Sequence, residues 1–253
     1  MLETANLTLA VAGRTLCRDL SARFAPGENW VILGANGSGK TTLLHALAGL
    51  RPPQSGAVHL GGRPLPDIPY RERALKLGVL LQDYETTLPA TVLDVVLTGR
   101  HPHLGRWQWE GDTDRKLATE ALATMDLAGF GARPLATLSG GERRRAEIAA
   151  LLVQDAPVCL LDEPTNHLDL QHQVRVFEQL AARARRPGHL NVFVLHDVNL
   201  ASRFGTHGIL LFGDGSSIQG PLTDILRRET LERLYRCRLR VLRDDGRAVF
   251  LPD

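Results

Sequence analysis

The run NWVILGANGSGKTTLLHALAGL (residues 29–50) decides the fold. It begins as a short apolar strand-like stretch, stops at a glycine-rich turn, and continues as TTLLHALAGL with helical spacing. Between the two, GANGSGKTT (34–42) satisfies G-x-x-x-x-G-K-[ST], with Gly34, Gly39, Lys40 and Thr41 at the fixed places. Chemistry demands these residue types. Glycines let the backbone wrap an anion without Cβ clashes, so several N–H groups converge on a β-phosphate. Lys40 reaches the β- and γ-phosphates, Thr41 supplies a hydroxyl to Mg²⁺, and the following helix adds its N-terminal dipole. The competing reading is an ordinary glycine-rich turn, which needs neither the apolar strand before it nor the amphipathic helix after it.

Around this centre the first third of the chain alternates strand-like pieces with turns. LTLAV (7–11), SARFAP (21–26), NWVILG (29–34), AVHLGG (57–62) and GVLLQ (78–82) read as strands, punctuated by Pro26-Gly27 and Ser55-Gly56. From Leu88 to Leu152 the pattern is mostly helical, with Leu117, Ala121, Leu122 and Met125 on one face. PVCLLDE (157–163) and NVFVLHD (191–197) are continuously apolar, which suits parallel strands covered on both faces. A helix over about 170–185 joins them into a βαβ unit. From Gly213 the chain reads as a short strand, a turn at GDGSS, a helix near TDILRRETLERLY and a hairpin broken at DDGR. No internal repeat is evident.

Bulk properties exclude several classes. With 253 residues there is room for one large α/β domain or a core with a subsidiary lobe. A net charge of +2 makes no electrostatic case for nucleic acid as the main partner. The longest apolar runs, such as IAALLV (148–153), fall far short of the roughly 18–20 residues of a membrane span. The N-terminus reads as no signal peptide, and Cys17, Cys159 and Cys237 fit no metal spacing and read as reduced thiols.

Two further stretches narrow the chemistry. In PVCLLDEP, Asp162 at the strand end is placed to hold a Mg²⁺ hydration shell and Glu163 to polarise an attacking water. In LSGGE (138–142), Ser139 and Glu142 form a capping box S-x-x-E. Capping does not explain Gly140 and Gly141, each of which weakens a helix by about 1 kcal/mol relative to alanine. A Ser-Gly-Gly helix start presents bare N–H groups and so makes a second anion cradle in a chain that already has one.

With these motifs the chain resembles the ATP-binding cassette (ABC) ATPases over nearly its whole length. GANGSGKTT resembles the Walker A loop, Gln82 in GVLLQD the Q-loop glutamine, and LSGGE the signature. VCLLDE resembles Walker B with catalytic Glu163, NHLD (166–169) the D-loop, and His196 in VLHD the switch histidine. The resemblance implies an α/β fold, with a P-loop NTPase (RecA-like) core, an N-terminal antiparallel β subdomain and an inserted α-helical subdomain. It implies one domain over 1–253: a β subdomain and first part of the core over 1–86, the helical subdomain over 87–152, the rest of the core over 153–212 and a tail over 213–253.

The resemblance also implies roles. Gly34, Asn36, Gly37, Ser38, Gly39, Lys40, Thr41 and Thr42 would hold ATP; Thr41, Gln82 and Asp162 would serve Mg²⁺; Glu163, His196 and Gln82 would be catalytic. In this family two cassettes meet head to tail, so Ser139, Gly140, Gly141 and Asp169 would face a nucleotide held by the partner copy. The second cradle is then for the partner's ATP, and loss of the shared γ-phosphate separates the halves. One position departs from the family pattern: Val11 stands where an aromatic ring usually stacks on adenine, with Arg14 nearby as a substitute.

The stretch TVLDVVLTGRHPHLGRW (91–107) and the tail LERLYRCRLRVL resemble the subgroup serving ferric siderophores, haem and cobalamin. The expected function is the ATP-hydrolysing subunit of an importer, working with separate membrane permease subunits and a substrate-binding protein, peripheral on the cytoplasmic face of the inner membrane. An exporter subunit is the alternative, and a non-transport ABC ATPase acting on nucleic acid a more distant one. His101 and His103 in HPH read as surface or permease-contact residues rather than a metal site.

Overall fold

The first strand, β1 (Leu2–Val11), is hydrogen-bonded on both edges in the computed structural model, which describes residues 1–82, 89–244 and 247–253. Along one edge it pairs antiparallel with β2 (Arg14–Leu20) and, at Leu2 and Glu3, with the two-residue β3 (Arg23–Phe24). After β4 (Asn29–Gly34) and α1 (Lys40–Leu47), β5 (Ser55–Leu60) joins β1 and carries the short β6 (Arg63–Pro64). These strands form an antiparallel sheet in the order β2-β1-β5-β6.

The chain falls into two units, residues 1–68 with 181–253, and residues 69–180. The second contains α2 (Tyr70–Ala74), β7 (Leu77–Leu80), α3 (Val92–Leu97), α4 (Asp112–Thr124), α5 (Gly140–Gln154) and β8 (Val158–Asp162). Strands β7 and β8 are parallel, with Leu77 opposite Val158 and Leu80 opposite Leu161. Helices α3 and α4 pack on α5, whose Ala146, Ile148, Ala149 and Leu151 are buried. Helix α6 (Leu170–Ala184) leads out of this unit across the boundary at 180/181.

The first unit resumes with β9 (Leu190–Val194), α7 (Val198–Phe204), β10 (His207–Leu211), β11 (Ser217–Pro221), α8 (Leu222–Ile225) and α9 (Arg228–Tyr235). It ends in a hairpin of β12 (Leu239–Asp244) and β13 (Arg247–Pro252). Strand β4 lies between parallel neighbours, Ile32 opposite Val194 of β9 on one side and Ile209 of β10 on the other. Every residue of β4 is buried, which is why its sequence shows no apolar–polar alternation. Removing side chains such as Val31, Ile32 and Leu33 from water contributes about 1.5–3 kcal/mol each.

Several elements differ from the sequence reading. β1 starts at Leu2 rather than Leu7, and β2 is a strand that the sequence did not announce. Register shifts between Leu7 and Ala10, with Asn6 and Asp19 at positive φ, break the two-residue alternation there. SARFAP contributes only Arg23–Phe24, because the Ala22 amide is taken by Thr4 Oγ1 and the chain turns at Pro26-Gly27. The helical stretch is interrupted: a 3₁₀ segment covers Thr98–His103, and 104–111 and 125–139 contain no α-helix. The boundary expected at 86/87 and the start of the helical stretch at Leu88 fall in 83–88, and the DDGR turn includes 245–246; both lie outside the described residues.

Candidate functional site

In the first unit, β4 delivers the chain into the loop 35–39 and straight into α1. The loop closes on itself: Ser38 N donates to Ala35 O (3.1 Å), and Leu43 N to Gly39 O (2.8 Å). Gly39 sits at φ +103°, a left-handed backbone that side chains rarely adopt. At Gly34 the reason is space, since a Cβ would lie 2.6 Å from Leu211 O and closer still to Ser38 Oγ. The Lys40 ammonium, only 6% exposed, donates to Gly34 O (2.9 Å) and Ala35 O (3.3 Å) and so props the loop from within.

Ser38 Oγ is buried and has no hydrogen-bond partner among the described residues. A buried hydroxyl left without a partner is costly, so its presence marks a place built for a polar ligand. With exposed Asn36 and Gly37 and half-buried Thr41 and Thr42 around it, the cradle fits a phosphate group.

His196 stands two residues past the end of β9, beyond the same C-terminal strand ends as the loop after β4, and is exposed. Asp197, the next residue, caps α7 by accepting from Asn199 N (2.7 Å) and Leu200 N (3.3 Å). Arg14 is not turned towards a base: its guanidinium donates to Gly213 O from Nη2 (2.6 Å) and Nε (3.2 Å). Val11, at the tip of the same hairpin, is half-buried.

In the second unit, β8 ends at Asp162, which is fully buried, and turns at Glu163. Glu163 is 8% exposed and held at φ +45°, an uncommon conformation for a residue with a side chain. Its carboxylate accepts from Gln82 Nε2 (3.3 Å) and from Asn166 Nδ2. Gln82 lies just past β7, the parallel neighbour of β8, which is how residues 81 positions apart meet.

At the head of α5 the capping box is present: Ser139 N donates to Glu142 Oε2 (2.7 Å) and Glu142 N to Ser139 Oγ (3.2 Å). The Ser139 backbone N–H first, and the Ser139 side chain second, hold the Glu142 carboxyl below the usual carboxylate range. Ser139, Gly140, Gly141 and Asp169 line one cleft of about 340 Å³, with Arg145, His167 and His172 on its walls. The two glycines differ. A Cβ on Gly141 would come within 2.9 Å of His167 O, whereas on Gly140 it would meet only the His167 side chain, no closer than 3.6 Å. Asp169 Oδ1 accepts from His172 N (2.9 Å) and touches ring Nδ1 (2.8 Å), and these contacts hold its carboxyl low.

The sequence-identified residues thus gather as a loop, Gly34–Thr42, with His196 beyond the same strand ends in one unit. In the other unit lie an acidic turn with Gln82 and a cleft with Ser139, Gly140, Gly141 and Asp169. His101 pairs with Glu110 (3.2 Å) and His103 with Gln154 O (2.8 Å). Among the described residues no three or more His, Cys, Asp or Glu side chains cluster as a metal site. Asn166 and Arg144, both in contact with the Glu163 turn, were missed by sequence reasoning.

Comparison with known proteins shows the family. The ABC transporter family matches residues 17–166. The chain is 36% identical over 249 residues to the hemin import ATP-binding protein HmuV of Rhizobium meliloti (strain 1021), covering 95% of this chain and 93% of that one. It is 36% identical over 242 residues to the ferric enterobactin transport ATP-binding protein FepC of Escherichia coli (strain K12), covering 94% and 88%. Among solved structures, a metal-chelate type ABC transporter in an inward-facing conformation superposes with a TM-score of 0.85 at 26% identity, covering 99% of this chain and 96% of that one. A dimeric ATP-binding cassette in a post-hydrolysis state, bound to ADP and Pi, gives 0.78 at 28% identity, covering 88% and 99%.

Proposed function

The chain belongs to the ABC transporter ATPase family, and from that premise we propose that it is the ATP-hydrolysing subunit of an importer for an iron chelate, haem or a ferric siderophore. The observation that carries this reading is similarity along more than nine-tenths of the chain to ATP-binding proteins named for hemin import and ferric enterobactin transport. Among the described residues no helix is long and apolar enough to cross a membrane, so the channel belongs to separate permease subunits. We take a substrate-binding protein to feed them and the cassette to sit peripherally on the cytoplasmic face of the membrane. We take the cassette to work as a head-to-tail homodimer around two ATP molecules, a reading supported by the dimeric ATP-binding cassette it resembles.

The residues supply a mechanism. The loop N–H groups and Ser38 Oγ bind the β-phosphate region, and Lys40 bridges to the γ-phosphate while its carbonyl contacts keep the loop open. Asn36, Gly37, Thr41 and Thr42 complete the cradle at the start of α1. Thr41, Gln82 and Asp162 present the hard oxygen donors that Mg²⁺ prefers, and the ion, when bound, neutralises phosphate charge.

Glu163 accepts a proton from the attacking water as its oxygen bonds to the γ-phosphorus and the bond to the ADP oxygen breaks. Gln82 orients Glu163 and the water from the adjoining strand end. His196 donates to the γ-phosphate oxygens from beyond the strand ends. Ser139 and the N–H groups at Gly140 and Gly141 receive the γ-phosphate of the partner copy's nucleotide, with Asp169 beside it.

The test is uptake in cells lacking the gene, restored with wild type or Glu163→Gln, using labelled haem, ferric siderophore and corrinoid. Loss of haem or siderophore uptake, rescued by wild type alone, supports the proposal. Survival of all three uptakes sinks it and moves the exporter reading forward.

A further inference from the structure

Three arginines, Arg143–Arg145, follow the capping box on α5, and successive helix positions point about 100° apart. The middle one turns inward: Arg144 is 4% exposed, whereas its neighbours are half-buried. A guanidinium has five N–H donors in a rigid fork, and here each is engaged. Nη1 donates to Leu81 O (2.6 Å) and Glu147 Oε2 (3.0 Å). Nη2 donates to Asp162 O (2.6 Å) and Glu163 O (3.0 Å), and Nε to Pro164 O (3.2 Å). Glu147 supplies the opposite charge that a buried cation requires.

We propose that Arg144 is a positioning residue for hydrolysis, holding Glu163 and Gln82 in working register and linking both to the helix that begins at Ser139. The proposal rests on the reading of Glu163 as the base. Three consecutive carbonyls, of Asp162, Glu163 and Pro164, converge on one planar group, and that convergence shapes the turn. Glu163 sits at φ +45°, a conformation that persists only where its surroundings over-determine it, and its own carbonyl is one of those held. Leu81 O belongs to the peptide that leads into Gln82, so the same guanidinium fixes the residue that reaches the Glu163 carboxylate at 3.3 Å. A displacement of α5 at its N-terminal end is therefore carried to base and glutamine together. Lysine cannot reproduce this, because one ammonium nitrogen does not span carbonyls on two segments.

The experiment uses the full chain with Arg144→Lys and Arg144→Gln, each alone and combined with Glu163→Gln. Arg100→Lys serves as control, since Arg100 binds Asp114 (2.8 Å) and, at the far end of α5, Val153 O (3.2 Å), away from Gln82, the Glu163 turn and the start of α5. ATPase rate, KM, nucleotide affinity and melting temperature are read for each. Expected is a fall in kcat on the order of 10–100-fold with KM and nucleotide affinity within about threefold of wild type. Arg100→Lys should lose a similar amount of melting temperature while keeping its rate. In the Glu163→Gln background the Arg144 substitutions should cost little more, because Arg144 acts through that residue.

Additive losses in the double variants would overturn the proposal. So would kcat within twofold of wild type, or a rate loss matched by Arg100→Lys at equal melting temperature. If Arg144→Lys does not fold, Arg144→Gln decides by the same comparison; if neither folds, a Glu147→Gln chain that loses Arg144's counter-charge yet keeps full kcat overturns it. Equal rates for wild type and Glu163→Gln would be a different failure, removing Glu163 as base.

Discussion

Gln82 Nε2 donates to Glu163 Oε2 at 3.3 Å, joining the ends of two parallel strands whose sequence positions are 81 apart. The bond points the amide at the carboxylate proposed to take the proton from water. Glu163→Gln keeps the size and loses the proton acceptor. Hydrolysis should fall by about 10²–10⁴-fold with ATP affinity unchanged. Phosphate release and light scattering check this together, since the slowed protein should accumulate as an ATP-bound dimer. A variant that stays monomeric at high concentration with Mg-ATP argues against the head-to-tail arrangement.

The two signature glycines should part company. Gly141→Ala puts a methyl 2.9 Å from His167 O, so the turn 163–169 must shift, at a cost of about 1–3 kcal/mol read by thermal melting. Gly140→Ala meets nothing closer than 3.6 Å and should leave the melt near wild type. If its ATPase rate nevertheless collapses, Gly140 is needed outside its own chain, as a phosphate of the partner copy requires.

Acidification should weaken the start of α5. Ser139 holds the Glu142 carboxyl low, so its stabilisation is complete above the ordinary carboxylate range and lost as pH falls through the depressed folded-state value. Glu142→Gln lacks that charge dependence. Its melting temperature should lie below wild type at about pH 7 and converge on it as pH falls through that depressed value.

The terminal hairpin is fastened to α7, the helix that follows His196. Asn199 Nδ2 donates to Phe250 O (3.1 Å), Phe250 N to Asn199 Oδ1 (2.9 Å), and Ser202 Oγ to Ala248 O (3.4 Å). Asn199→Ala removes the reciprocal pair and should cost about 1–3 kcal/mol. Faster hydrogen exchange at the Phe250 amide, with slow exchange kept in β4, would show the loss to be local.

Much of this was legible from residue types alone. NWVILG followed by GANGSGKTT announced a buried strand, a glycine-rich turn and a helix, and all three stand where the pattern put them. The capping box at Ser139 and Glu142 was equally plain. Strand β2 was not, because its register against β1 slips twice between Thr15 and Leu20, with Asp19 at positive φ, and this spoils the two-residue period on which strand reading depends. Arg144 was hidden for another reason. Three arginines in a row look like solvated surface, and only the rotation of α5 against its neighbours selects which one turns inward. The close approach of His167 to Gly141 was illegible too, since it joins a loop to a helix start through backbone rather than through any patterned side chain.

The arrangement of strands around β4 has a consequence for vectorial synthesis. Its neighbours, β9 and β10, lie in 190–211, while the second unit is one unbroken stretch, 69–180. A nascent chain must therefore carry the apolar NWVILG segment, bare on both edges, while more than 150 later residues are polymerised. At about 5–20 residues per second that wait lasts on the order of ten seconds or more, ample time for a chaperone to matter. The strand that carries the glycine-rich loop is thus made early and finished late.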